Sequence, residues 1–186
     1  MKKMIKSLVL TGALALAAVG GFAAPASAIP SCTGGAACSH QTGILFNGDE
    51  FGVGYEWHSS YTLLKMNANG ELSLSCANDG SSQQVWSTNV SNSLGSPWVL
   101  FEGPNNGGGG SMVIYQGSWV TGTDGNAFLE YNPAWTSLTK PPTHATRGVE
   151  AVVQADGNFV IYDSNNTPLW SSNTYHVCPG TAGYQN

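Results

Sequence analysis

A repeated unit constrains this chain more than any other feature. Leu64-Lys65-Met66-Asn67-Ala68-Asn69-Gly70-Glu71-Leu72-Ser73-Leu74 runs on to Val85-Trp86-Ser87-Thr88-Asn89. Further on, Val152-Val153-Gln154-Ala155-Asp156-Gly157-Asn158-Phe159-Val160-Ile161-Tyr162 runs on to Leu169-Trp170-Ser171-Ser172-Asn173. A weaker copy lies between them: Ser111-Met112-Val113-Ile114-Tyr115 matches the second half of the unit, Trp119-Val120-Thr121-Gly122-Thr123 matches its ending, and the tract Gly107 to Gly110 stands in place of its first half. Three like units in one small domain predict three small sheets around a pseudo-threefold axis, because one such sheet cannot bury its own apolar face. Trp86, Trp119 and Trp170 are then expected to fill the core. Residues 124–150 read as a long insertion with Trp135, Pro141 and Pro142 but no matching unit, in which Asp124-Gly125-Asn126 has the composition of a hairpin turn.

The class is all-β, since charged residues make up only 9% of the chain and no window carries apolar residues at helical spacing over three turns. Residues 1–28 read as a signal peptide: Lys2, Lys3 and Lys6, an apolar run from Leu8 to Ala24, then Ala26-Ser27-Ala28. Secretion is therefore expected, with a lipid anchor on Cys32 after Ile29-Pro30-Ser31 as the competing reading. The remainder divides into an N-terminal Cys-containing segment, 29–42, a repeat domain, 43–176, and a C-terminal tail, 177–186. Cys32, Cys38, Cys76 and Cys178 would enter an oxidising compartment, which predicts two disulfides with three possible connectivities, and Cys32 and Cys38 lack the matching second pair of a zinc site. The net charge is −5, and the leader takes three of the six cations with it. So acidic a surface repels phosphate backbones and anionic headgroups, which sets aside nucleic acid and membrane insertion and favours a neutral ligand.

Asp156-Gly157-Asn158 is a hairpin signal between two alternating runs. A three-residue loop of these residues would pair Ala155 with Phe159, Gln154 with Val160, Val153 with Ile161 and Val152 with Tyr162. Ala155, Val153, Phe159 and Ile161 would then line the core, with Gln154, Val160 and Tyr162 on the outer face and Asp156 and Asn158 at the bend. An unbroken strand would spread these groups over roughly 26 Å at about 3.3 Å per residue, whereas the fold-back gathers them around one shallow pocket. A carboxylate, two amides, a phenol and an aliphatic patch suit a neutral polyol, whose adjacent hydroxyls can donate and accept while its ring carbons pack on Val160.

Gln154-x-Asp156-x-Asn158-x-Val160-x-Tyr162 matches without a gap the mannose-binding signature of the bulb-type, snowdrop-like lectins. Leu169-Trp170-Ser171-Ser172-Asn173-Thr174 looks like the segment that follows it there, and Gly43-Ile44-Leu45-Phe46-Asn47-Gly48-Asp49 resembles the family's opening strand, so the resemblance spans most of 43–176. It implies a β-prism II of three antiparallel four-stranded sheets and a secreted lectin for D-mannose or mannose-containing glycans. It also implies that Asp156 and Asn158 hold the axial 2-hydroxyl, Gln154 the 3-hydroxyl and Tyr162 the 4-hydroxyl, with Val160 as the apolar contact. In the first copy Asn67, Asn69, Glu71, Ser73 and Ser75 replace the five signature residues. In the middle copy Gly107, Gly109 and Ser111 replace the first three, leaving Val113 and Tyr115; both sites are expected to be silent or to read another sugar.

One shallow site binds a free monosaccharide weakly, so homo-oligomers or clustered glycans are expected to supply affinity. No catalytic role is assigned, because His40, His58, His144 and His176 lie in no nucleophile or metal-binding motif, and no cofactor or metal is expected. The alternative function is a lectin-like bacteriocin or adhesin whose sugar site addresses a cell wall.

Overall fold

The computed structural model describes residues 39–40, 44–46, 48–77, 83–92, 94–103, 109–139, 141, 143–181 and 183–184. The proposed leader, Cys32 and Cys38 lie outside them. The described residues form strands and connections with no helix, arranged in three sheets. Thirteen strands follow in chain order: β1 (Ser39–His40), β2 (Ile44–Phe46), β3 (Glu50–Gly52), β4 (Glu56–His58), β5 (Thr62–Met66), β6 (Leu72–Cys76), β7 (Gln84–Ser87), β8 (Trp98–Phe101), β9 (Met112–Thr121), β10 (Ala127–Thr136), β11 (Glu150–Val153), β12 (Phe159–Tyr162) and β13 (Pro168–Ser171). The sheets run β1-β4-β5-β6-β7, β10-β9-β8-β3 and β13-β12-β11-β2. Two are the expected antiparallel four-stranded sheets. The first gains a fifth strand because β1 adds to the edge in parallel, Ser39 beside Glu56. The short strands β2, β3 and β4 each join a different sheet, so the start of the domain ties all three together.

Each unit supplies the core with two cross-strand pairs in equivalent register: Leu64 with Leu74 and Met66 with Leu72, Val99 with Ile114 and Phe101 with Met112, Ala151 with Ile161 and Val153 with Phe159. All are buried. Strand alternation places them on one face, and burying three such faces together is the main favourable term available to these sheets.

At the centre the expected tryptophan set is corrected. Trp86 and Trp170 are there, but the third member is Trp135, whose ring centroid lies 6.0 Å from Trp86 and 5.7 Å from Trp170; the latter two are 5.4 Å apart, and every pair is edge-to-face. Trp119 is 63% exposed. The reason is an inserted hairpin: β9 continues past Tyr115 to Thr121, turns at 122–126 around Asp124-Gly125-Asn126, and returns as β10. The unit resumes at Trp135-Thr136-Ser137 after a register shift between Pro133 and Trp135. The ending of the middle copy is therefore not Trp119 to Thr123, and the insertion runs from 116 to 134 rather than filling 124–150.

Backbone bonds confirm the equivalence. Thr88, Ser137 and Ser172 donate N–H to the carbonyls of Leu72, Met112 and Phe159, at 3.0, 2.9 and 2.9 Å. Their side-chain oxygens accept the N–H of the same three residues at 3.2, 2.9 and 3.0 Å. The next residue has positive φ in every unit: Asn89 at 54°, Leu138 at 56° and Asn173 at 57°.

Trp135→Ala should lower unfolding free energy by about 3 kcal/mol in urea titration, whereas Trp119→Ala should stay within about 0.5 kcal/mol of the parent. Leu138 is exposed and occupies a conformation that Asn tolerates better, so Leu138→Asn should raise stability by about 0.5–1 kcal/mol in the same assay.

Candidate carbohydrate site on the third unit

The β11–β12 hairpin closes one residue earlier than its sequence suggests. Gln154 donates N–H to the Asn158 carbonyl at 2.8 Å and Gly157 donates to the Gln154 carbonyl at 3.2 Å, so the three-residue loop is Ala155-Asp156-Gly157. Val153 faces Phe159, Val152 faces Val160, Ala151 faces Ile161 and Glu150 faces Tyr162. Glycine decides the placement: Gly157 has φ of +95°, and a three-residue hairpin loop needs its last residue in that region. Ala155 is consequently exposed at the turn and not in the core, while Val153, Phe159 and Ile161 are buried as expected. The shift of two between partners preserves parity, so Gln154, Asn158, Val160 and Tyr162 share one face.

On that face Gln154 Nε2 donates to Tyr162 Oη at 2.6 Å. This leaves the Gln154 carbonyl oxygen as an acceptor and the phenol hydrogen as a donor. Asp156 Oδ1 accepts the Asn158 N–H at 2.9 Å, which holds the carboxylate over the loop with Oδ2 available to a ligand. The Asn158 side chain is almost wholly buried and its Oδ1 is heavily used: the Thr174 N–H lies at 3.2 Å and the Ser171 and Ser172 hydroxyls each at 3.0 Å. A backbone N–H can only meet the oxygen of the amide, which fixes its orientation and leaves Nδ2 as the group Asn158 can present. Val160 is only 3% exposed, so it offers a ligand a small apolar area. Immediately after Tyr162, Asp163 accepts the N–H groups of Thr167 at 2.9 Å and Asn165 at 2.8 Å; the Thr167 bond, with the Asn165 bond assisting, outweighs burial and holds its carboxyl below the usual range. This turn sets β13 against the site.

The first unit has the same turn with different chemistry. Asn67 donates its N–H to the Glu71 carbonyl at 2.9 Å and Asn69 Oδ1 accepts the Glu71 N–H at 3.2 Å. Asn67 Nδ2, however, is spent on Ser73 Oγ at 2.8 Å. In the second unit Glu102, not Gly107, takes the place of Gln154: it donates N–H to the Ser111 carbonyl at 2.9 Å and accepts from Gly110 at 2.8 Å. The signal was present in the run Trp98-Val99-Leu100-Phe101-Glu102, which parallels Glu150-Ala151-Val152-Val153-Gln154. Tyr115, the counterpart of Tyr162, stacks on Trp98 with centroids 5.1 Å apart.

A further copy of the turn separates the fold from the site. Asp124-Gly125-Asn126 repeats Asp156-Gly157-Asn158 and makes the same bonds, Gly122 to Asn126 at 2.8 Å and Asn126 N to Asp124 Oδ1 at 3.0 Å. There the Asn126 amide folds onto Asp124 Oδ2 at 2.8 Å, and this bond, with the backbone one, holds the Asp124 carboxyl below its ordinary range. Asp-Gly-Asn is thus a turn sequence; Gln154, Tyr162 and the grip of β13 on Asn158 make the third-unit copy different.

No protein-family model matches the chain, and no curated protein matches it by sequence. Among solved structures it is similar to a monomeric monocot mannose-binding lectin from Gastrodia elata, with 21% identity over 72% of this chain and 99% of that one and a TM-score of 0.50. The Japanese Marasmius oreades lectin aligns at 20% identity over 73% of this chain and 94% of that one, TM-score 0.47. The mannose-specific agglutinin from snowdrop (Galanthus nivalis) bulbs, complexed with methyl-α-D-mannoside, aligns at 19% identity over 72% and 97%, TM-score 0.45. At the level of the Gastrodia elata protein the likeness is one of fold. The chain is a β-prism II.

Asn158→Ala would leave the Thr174 N–H without its acceptor and should cost about 1–3 kcal/mol in urea titration. Asn126→Ala, on the exposed turn, should cost no more than about 0.5 kcal/mol.

Proposed function

We propose that this protein is a lectin, a carbohydrate-binding protein without catalytic activity, that holds D-mannose or a mannose-containing glycan at the third-unit turn. One observation carries the reading: the third unit alone combines a Gln and Tyr bonded across the hairpin with an Asp and Asn whose outer polar atoms are uncommitted. Asp156 and the Nδ2 of Asn158 would take the axial 2-hydroxyl as acceptor and donor. Gln154 would accept from the 3-hydroxyl and Tyr162 would donate to the 4-hydroxyl, with Val160 as a minor apolar contact. The β-prism II fold shared with a mannose-binding lectin supports this assignment. The chain would be exported by its leader and would gain avidity as a homo-oligomer or on clustered glycans.

Calorimetry of the leader-free protein with methyl α-D-mannoside is the test. Asp156→Asn and Tyr162→Phe should each weaken binding by about tenfold or more, the equivalent of one charged or neutral hydrogen bond, at unchanged melting temperature. Absence of mannose binding in the parent, or full binding by both variants, would remove the assignment.

A further inference from the structure

Beside the third-unit turn the C-terminal tail builds a second concavity. His176 donates its N–H to the Asp156 carbonyl at 2.7 Å, so the tail begins directly on the loop that carries the candidate site. Cys178, fully buried, is bonded to Cys76 on β6 across a sequence separation of 102 and anchors the tail to the first sheet. Beyond it, Thr181 and Tyr184 fold back through N–H bonds to the carbonyls of Cys178 at 3.2 Å and Thr181 at 3.1 Å. Gly183 lies against the His176 imidazole so closely that an added Cβ would sit 3.1 Å from Nδ1. The result is an open depression of about 530 Å³ lined by Gln83, Tyr175, His176, Val177, Gly183 and Tyr184.

The lining is unusual for a surface with no assigned partner. Tyr175 is 58% exposed and is held edge-on to His176 at 5.1 Å, and Val177 is also exposed. His176 Nδ1 is buried without a hydrogen-bond partner among the described residues, and its backbone has a positive φ of 61°. Gly183 closes Nδ1 off from solvent, so the imidazole holds the edge of Tyr175 in place and the groups open to a ligand are those around it. Gln83 and Tyr184 add an amide and a phenol, and among the described residues no lysine or arginine lines the space. An aromatic face with an amide and a phenol beside it describes a site for a neutral hydroxylated ring.

We infer that this depression is a second carbohydrate subsite, which takes the neighbouring hexose of a chain whose terminal mannose sits at Asp156. The inference rests on the third-unit reading. Tyr175 supplies the ring platform, Gln83 and Tyr184 bond to hydroxyls, and the disulfide keeps the two subsites at fixed separation.

Calorimetric titration with methyl α-D-mannoside, the α-linked mannobioses and linear mannotriose distinguishes the two readings. The parent should bind at least one oligosaccharide about tenfold more tightly than the monosaccharide. Tyr175→Ala and, separately, Gln83→Ala should reduce that ratio to about twofold while leaving the monosaccharide affinity unchanged, and Asp156→Asn should weaken monosaccharide and oligosaccharide alike by about tenfold or more. Equal affinity of the parent for all the sugars, or a ratio that survives both substitutions, would overturn the subsite and leave the third-unit site standing. No binding of any of these sugars by the parent would overturn both.

Discussion

The three edge-to-face contacts among Trp86, Trp135 and Trp170 are the constraint on which the rest of the structure depends. Each ring comes from the last strand of a different sheet, so a sheet finds its position only when the other two are present. Each aromatic pair contributes about 0.5–1.5 kcal/mol beyond the area it buries, and the hydroxyl residue two places on, Thr88, Ser137 or Ser172, latches the chain end to the start of the second hairpin strand. Phe159, at the start of the strand that carries Val160 and Tyr162, packs against Trp86 and Trp170. The outer face of the third sheet is therefore registered from the axis outward, and a candidate site that depends on the spacing of four side chains inherits that registration.

The repeat made the architecture legible, because apolar alternation and the Trp-Ser endings report burial directly. The axis was less legible. Trp119-Val120-Thr121 resembles a unit ending by composition, yet what makes an ending is the bond between the residue two after the tryptophan and the second hairpin strand, and that partner cannot be read locally. Trp135 was masked by the inserted hairpin, which moves it away from Tyr115 in sequence while leaving it beside Trp86 in space. Leu138 hides the equivalence further, since Asn stands at this positive-φ position in the other two units. In the site hairpin, parity was legible and loop position was not: Asp-Gly-Asn names a turn, but only the requirement for positive φ at the loop's final residue puts glycine last.

The three occurrences of one turn, beside the second unit's different closure, separate what specifies a backbone from what specifies a ligand. An Asx side chain accepting the N–H two residues on, followed by glycine, is sufficient to close the loop at 67–71, at 122–126 and at 154–158. The second unit closes with a longer loop and retains only the glycine, Gly110, with φ of +105°. Because the prism needs these closures at its ends regardless of binding, Asp156 and Gly157 would be retained in a chain that bound nothing. The residues that discriminate are Gln154 and Tyr162, for which the turn has no use, and their mutual bond at 2.6 Å presents them as one unit.

The third-unit loop is packed against its surroundings where its copy at 122–126 stands free of them. A Cβ added at Gly125 would meet no atom within 4 Å, whereas at Gly157 it would lie 3.2 Å from the Thr174 carbonyl oxygen, 3.4 Å from the Thr181 methyl and 3.7 Å from the Thr62 methyl. Thr174 also donates its hydroxyl to the Gly157 carbonyl at 2.8 Å, and His176 takes the Asp156 carbonyl. The loop is thus held by the segment that follows β13, by the tail and by the first sheet, and the Cys76–Cys178 bridge closes that ring of contacts. A weak ligand gains most from a site that loses little freedom on binding, because conformational ordering is subtracted from every contact made. The fold spends three of its elements on a loop of three residues, and that investment is intelligible if the polar atoms above it have to be in place before a sugar arrives.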